Sequence, residues 1–198
     1  MKIAIIKYNA GNIMSVDYAL QRLGIDAIVT QDAEIIRSSD RVIFPGVGEA
    51  STTMQYLRKY KLDQLIADLK QPVLGICLGL QLMCRSSEEG NTRCIGIFDE
   101  EIKKFTLPVA SPGYKVPHMG WNSLENIKGS LLSKQMEGKY VYFVHSYYAT
   151  LGKQTVAGCN YIVPFSAALQ RDNFYATQFH PEKSGTIGAH ILENFIAL

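Results

Sequence analysis

Short, wholly apolar runs recur through the first half of the chain. Ile3-Ala4-Ile5-Ile6 ends in a turn-like Asn9-Ala10-Gly11-Asn12, and Ala27-Ile28-Val29, Val42-Ile43-Phe44 and Val73-Leu74-Gly75-Ile76 follow. Between the first two, Ile13, Val16, Leu20 and Leu23 return at three- and four-residue steps, the signature of one helical face, with Gly24 as its stop. Helical patterning also covers residues 49–70, interrupted near Tyr60, and residues 78–85. Apolar strands separated by helices predict a parallel sheet covered on both faces. The second half changes character. Residues 140–148, 155–162, 166–169 and 174–179 read as short strands at hairpin-like spacing, and Ile187, Ile191, Leu192 and Phe195 mark a last helix. The pattern predicts one α/β domain over residues 1–198, with a mixed, mostly parallel central sheet flanked by helices and no linker or internal repeat.

Composition narrows the functional classes. Hydrophobic residues make up 47% and charged residues 19% of the 198, enough for a sizeable core and too little polarity for disorder. Twenty Lys and Arg stand against 18 Asp and Glu, for a net charge of +2, without the basic stripe of a nucleic-acid binder. No stretch approaches the ~20 apolar residues of a membrane helix, and the first apolar run is too short for a signal-peptide core. The cysteines, Cys77, Cys84, Cys94 and Cys159, lack C-x-x-C spacing, which argues against a zinc site or redox dithiol. They read as reduced thiols of a cytoplasmic protein, and neither metal nor cofactor is expected.

One cysteine has unusual neighbours. Gly75-Ile76-Cys77-Leu78-Gly79 is G-x-C-x-G between a predicted strand and a predicted helix, the form of a nucleophile elbow. The turn is sharp and its central residue strained, so side chains at the flanking glycines would collide across it. Cys77 would sit at a helix N-terminus, where the macrodipole favours a thiolate. Taken alone, the pattern fits a small buried thiol at a glycine-rich strand end equally well. Cys84, Cys94 and Cys159 read as packing residues.

Gln178-Phe179-His180-Pro181-Glu182 tips the balance. Proline biases His180 towards extended backbone, and residues i and i+2 of an extended chain share a side, so the Glu182 carboxylate can hold the His180 imidazole. Nucleophile, base and orienting carboxylate complete a constellation for covalent acyl transfer. An isolated H-P-E would read as a solvated turn. His145, in a strand-like run, reads as a hydrogen-bonded core or interface residue, and His190 as a helix-surface residue. Pro45-Gly46-Val47-Gly48 follows a strand and precedes a helix, so backbone N–H groups of Gly46, Val47 and Gly48, with that of Leu78, can receive an oxyanion. A two-glycine loop can also flip a peptide plane cheaply. A phosphate loop would need a Lys-Ser/Thr that is absent.

In this order, these elements resemble the class I (triad) glutamine amidotransferases over nearly the whole chain. Within that family, the details resemble the glutaminase subunits, HisH type, of imidazole glycerol phosphate synthase. They are Gly11-Asn12-Ile13, Pro117-His118-Met119-Gly120-Trp121-Asn122, Tyr142-Phe143-Val144-His145-Ser146-Tyr147 and Gln178 through Ser184, beside the elbow continued by Leu80-Gln81. The resemblance implies a flavodoxin-like fold in which Cys77 attacks the side-chain amide of glutamine. His180, oriented by Glu182, protonates departing ammonia, and Gln81 binds substrate. It also implies a heterodimer in which ammonia passes, uncharged, into a (β/α)₈ cyclase subunit, with Asn12, Met119, Trp121, Tyr142 and Lys183 facing that partner and His118 in a loop nearby. Trp and Met suit an interface core. Asn9 and Ala10 stand where the family often carries Gly and a third small residue or Pro, which alters loop detail near that interface. The competing readings are a glutaminase serving another synthase, disfavoured by residues 117–122, a non-hydrolytic regulatory protein, and a cysteine peptidase.

Overall fold

The wholly buried strand β1 (Ile3–Ile6) alternates its side chains between two cores, Ile3 and Ile5 to one side, Ala4 and Ile6 to the other. A computed structural model describes residues 1–8, 12–107 and 113–198; Asn9, Ala10 and Gly11 lie outside the described residues, and with them the Asn9-Ala10 departure. After β1 come α1 (Ile13–Arg22), β2 (Ile28–Thr30), α2 (Ala33–Arg37), β3 (Arg41–Gly46), α3 (Ala50–Lys59), α4 (Leu62–Asp68), β4 (Val73–Cys77) and α5 (Leu78–Met83). The second half holds β5 (Ser86–Ser87), β6 (Thr92–Arg93), β7 (Glu101–Lys104), β8 (His118–Ser123), β9 (Tyr140–His145), β10 (Tyr147–Ala149), β11 (Thr155–Tyr161), β12 (Val163–Arg171), β13 (Phe174–Thr177) and α6 (Gly185–Ala197).

The main sheet runs β2-β1-β3-β4-β13-β12-β10-β7-β5-β6, with β11 on β12. From β2 to β13 the neighbours are parallel, as the apolar runs predicted; beyond β13 the pairing is mainly antiparallel. Helices α1 and α6 cover one face through Val16, Leu20, Ile191, Leu192 and Phe195. Helices α3, α4 and α5 cover the other through Met54, Leu57, Leu65, Ile66 and Leu80. Gly24, at φ +75°, ends the α1 segment, and Lys61, at φ 56°, separates α3 from α4 where the pattern near Tyr60 breaks.

Three expectations are corrected. Residues 140–148 are not one strand: β9 pairs with β8 in a separate two-stranded ribbon, and the chain then crosses at Ser146 so that β10 joins the main sheet. His118 is not in a loop. It lies in β8 directly opposite His145 and is buried. The predicted helix 78–85 is also shorter, because Cys84 turns to extended backbone.

The topology sets one edge apart. Gly46 at the end of β3 pairs with Cys77 at the end of β4, and Thr177 at the end of β13 pairs with Ile76. Three parallel strands therefore deliver their carboxyl ends side by side, the place where open α/β sheets hold ligands.

Candidate active site

The β4–α5 junction has no loop. Cys77 makes the turn alone, at φ 54° and ψ −104°, a conformation that costs a non-glycine residue ~1–3 kcal/mol and persists only when its surroundings impose it. The glycines permit this for different reasons. A Cβ at Gly75 would press on the Met83 sulfur and, at 3.1 Å, on the backbone of Gly79 and Leu80 across the turn. A Cβ at Gly79 would instead overlap the Phe44 carbonyl of neighbouring β3. The second glycine serves helix-to-strand packing, not the turn itself.

His180 follows β13 by three residues. Its backbone N–H donates to the Tyr142 carbonyl at 2.9 Å, and its carbonyl accepts from the Ser184 hydroxyl at 2.6 Å. His180 is extended, as the proline predicts, but Glu182 belongs to a helical turn over Pro181–Lys183 and not to a continued strand. The carboxylate still reaches the ring: Glu182 Oε1 lies 2.7 Å from His180 Nδ1. The Asn12 side-chain amide donates to the same oxygen at 2.5 Å. A carboxylate oxygen accepts, so Nδ1 carries the proton and Nε2 is left to exchange one. Nε2 is buried without an aligned partner. Burial disfavours the charged imidazole, but the charge of the nearby Cys77 sulfur, and then Glu182, outweigh it, and the His180 pKa is raised. Such bonds are commonly loose at rest and tighten when substrate arrives.

A cavity of about 280 Å³ opens beside the sulfur, lined by Val47, Gly48, Cys77, Leu78, Gln81, Glu89, Pro117, Val144, His145, Ser146 and Tyr147. Val47, Gly48, Leu78 and Gln81 thus come together with Cys77, while Gly46 stays in the sheet and does not line the cavity. The start of α3 is not free to hold an anion, because Glu49 accepts from the Ser51 and Thr52 N–H groups and Glu89 from that of Ala50. The loop before it, beside the Leu78 N–H, is what remains for that purpose.

Among the residues expected to face a partner, Met119 and Trp121 are 63% and 54% exposed on the β8–β9 ribbon, and Trp121 meets Tyr142 edge-on at 6.0 Å. Lys183 is exposed. Asn12 turns its amide inward to Glu182. It adopts the left-handed conformation at φ 71° before α1 and makes no side-chain cap to that helix.

Residues given no role from sequence also reach the site. Glu89 lines the cavity from a polar segment with no motif, and burial pushes its pKa up. Gln178 is fully buried with its amide against Cys77, at a position whose motif drew attention to His180 instead. His145 lines the cavity and continues into His118, Nε2 to Nδ1 at 3.0 Å. Burial lowers the His145 pKa to about 3 and that of His118 to about 4. Both folded-state values lie below the ~6.5 of a free histidine, so the unfolded chain binds more protons on the acid side. The stability these neutral rings provide is complete above pH ~6.5 and declines as the pH falls towards 3. Thermal unfolding should therefore show a smaller loss of Tm between pH 7.5 and 5 in His118→Gln than in the parent chain. An identical loss in both would refute the assignment. Among the described residues no cluster of His, Cys, Asp and Glu could hold a metal ion, and no helix is long and apolar enough to cross a membrane.

Comparisons with known proteins identify the family and the fold. Residues 4–198 match the family model described as glutamine amidotransferase class-I. The chain is 58% identical over 198 residues to the imidazole glycerol phosphate synthase subunit HisH of Bacteroides fragilis, covering all of both chains. It is 44% identical over 200 residues to the subunit of the same name from Escherichia coli K12, again covering both fully. Among solved structures, it resembles a glutamine amidotransferase with a TM-score of 0.73 at 17% identity, over 98% of this chain and 97% of that one. PurLQS from Thermotoga maritima gives 0.72 at 13%, over 99% and 97%.

Proposed function

The chain belongs to the class-I glutamine amidotransferase family, and from that premise we propose that it is the glutaminase subunit of an imidazole glycerol phosphate synthase. The observation that carries the chemistry is the His180 ring, held through Nδ1 by Glu182 at 2.7 Å and acted on by a strained Cys77 at the rim of a small cavity.

Cys77 attacks the side-chain amide carbon of glutamine, and the carbonyl oxygen, becoming negative, is received by the Leu78 N–H and by the loop at Val47 and Gly48, Gly46 being held in the sheet. His180 Nε2 takes the thiol proton as Cys77 attacks and gives that proton to the departing ammonia. Water, deprotonated by the same nitrogen, then resolves the γ-glutamyl thioester to glutamate and restores the thiol. Gln81 lines the cavity as a substrate contact. Residues 1–198 act as one glutamine amidotransferase domain. The ammonia passes to a (β/α)₈ cyclase subunit docked over the face that bears Asn12, Met119, Trp121, Tyr142 and Lys183, and is consumed there in making imidazole glycerol phosphate and aminoimidazole carboxamide ribotide. A sealed junction is a chemical requirement, since solvent would protonate ammonia and remove its nucleophilicity. The setting is the cytoplasm, which suits four unpaired cysteines.

Because the loop of Gly46, Val47 and Gly48 can flip a peptide plane cheaply, we propose that the isolated chain rests with the Val47 carbonyl towards the cavity, its oxyanion site one donor short. Removing one such donor costs about 10²–10³ in kcat. Glutamine hydrolysis should rise by that order when the cyclase partner and its nucleotide substrate are added, measured as glutamate released. Equal rates with and without them would overturn the proposal, and stimulation by a different synthase would reassign the partner.

A further inference from the structure

We infer that Gln178 is the hydrogen-bond donor that stabilises Cys77 in its charged form, and that one backbone carbonyl, that of Tyr147, dictates its orientation. The inference rests on the reading of Cys77 as nucleophile.

Donors and acceptors in this buried chain of amides can be paired in one way only. A peptide carbonyl can only accept, so the Gln81 side-chain group lying 3.0 Å from the Tyr147 oxygen must be its NH₂. That NH₂ has a second hydrogen, and the Gln178 side-chain oxygen lies 3.1 Å away to take it. The other end of the Gln178 amide is then its own NH₂, and it lies 3.7 Å from Cys77 Sγ. Reversing the Gln178 amide would set NH₂ against NH₂ at Gln81 and oxygen against sulfur at Cys77. Gln178 is fully buried and Gln81 nearly so, leaving no solvent to relieve two such contacts. The amide therefore has one orientation, with its donor on the sulfur.

The anchor is rigid. The same Tyr147 carbonyl accepts from His145 Nδ1 at 2.8 Å, so both its lone pairs are engaged. The sulfur, for its part, has a partner in each protonation state. As a thiol it can donate towards the Val144 carbonyl, 3.9 Å away, and as a thiolate it accepts from Gln178. Donors to an ionised acceptor form the stronger class of hydrogen bond, so the Gln178 contact favours the state that attacks carbon. A residue needed only to fill space at position 178 would have no use for an amide. Because Gln81 lines the cavity, the orientation of the nucleophile's donor is also tied directly to a wall of the substrate site.

The test compares the full-length chain, in complex with its synthase partner, with Gln178→Met and Gln178→Glu. Alkylation of Cys77 by iodoacetamide is followed by peptide mass spectrometry from pH 6 to 10, with Cys77→Ala as the blank, and kcat and KM for glutamine are measured in parallel. With Gln178→Met, alkylation at pH 7 should fall about tenfold, the value of one hydrogen bond to a charged group, and rejoin the parent rate at high pH. The kcat should fall with it while KM changes little. Gln178→Glu keeps the shape and places an oxygen where the donor was, so its alkylation at pH 7 should fall at least as far, and it decides the matter if the methionine variant does not fold. Alkylation profiles that superpose on the parent's, or a loss equal at every pH, would overturn the inference. Retention of glutamine hydrolysis by Cys77→Ala would instead overturn the reading of the nucleophile, leaving the effect of Gln178 on the sulfur to be read from alkylation alone.

Discussion

Cys77→Ala is expected to lower glutamine hydrolysis by about 10⁵–10⁶-fold, while synthesis from free ammonia by the assembled complex continues at the parent rate. The first half follows from covalent chemistry. Without the sulfur there is no thioester, and removal of a nucleophile that works as a unit with its base costs nearly all of the rate enhancement. The second half follows from placement. Cys77 is buried at the junction of β4 and α5, and alanine is smaller, so the exposed β8–β9 ribbon and its surroundings are undisturbed. The decisive measurement is product formation by the complex with glutamine and, separately, with an ammonium salt at a pH that supplies free ammonia. Loss of both activities would show that Cys77 holds the fold together and would withdraw its assignment as nucleophile.

Gly79→Ala should be a severely damaging substitution despite its small size. The added Cβ would overlap the Phe44 carbonyl, which cannot retreat because Phe44 lies in β3, paired through Gly75 to β4. Relief requires α5 to move away from the sheet. Overpacking of this kind costs up to ~3 kcal/mol, and more where the neighbour is backbone. For a domain of this size, each kcal/mol lowers Tm by about 2–4 °C, so a fall on the order of 10 °C is expected in thermal unfolding. Activity should be lost below that temperature, because α5 carries both the Leu78 N–H and Gln81. A Tm within a degree or two of the parent's would mean that α5 is not packed on β3 as described.

Much of this was legible in residue order because the relevant physics is local. The strands β1, β3 and β4 are buried on both faces, so nothing polar interrupts them, and their apolar runs stand out. The elbow announces itself because no side chain other than hydrogen fits at Gly75 and Gly79. What was missed depends on partners distant in sequence. Residues 140–148 alternate smoothly through Tyr140, Val141, Tyr142 and Phe143, and nothing within them says that β9 pairs with β8 while β10 pairs with β7 and β12. His118 looked like a loop residue because its burial is supplied by Phe143 and Tyr161, whose rings stack on it at 4.9 and 3.9 Å. Glu182 reached His180 by a helical turn where an extended chain was expected, since i and i+2 can share a side by more than one route. Gln178 and Glu89 acquire meaning only from the groups that folding sets against them.

Asn12 leaves α1 without the side-chain acceptor that most helices place over their opening turn, a loss that ordinarily weakens a helix by ~1 kcal/mol. Its amide instead steadies the carboxylate behind the imidazole. Local robustness and chemical readiness are therefore drawn from the same side chain, and a substitution that firmed up the helix by turning position 12 back onto it would slacken the proton-transfer apparatus. A protein hardened against heat at that spot should be a slower one.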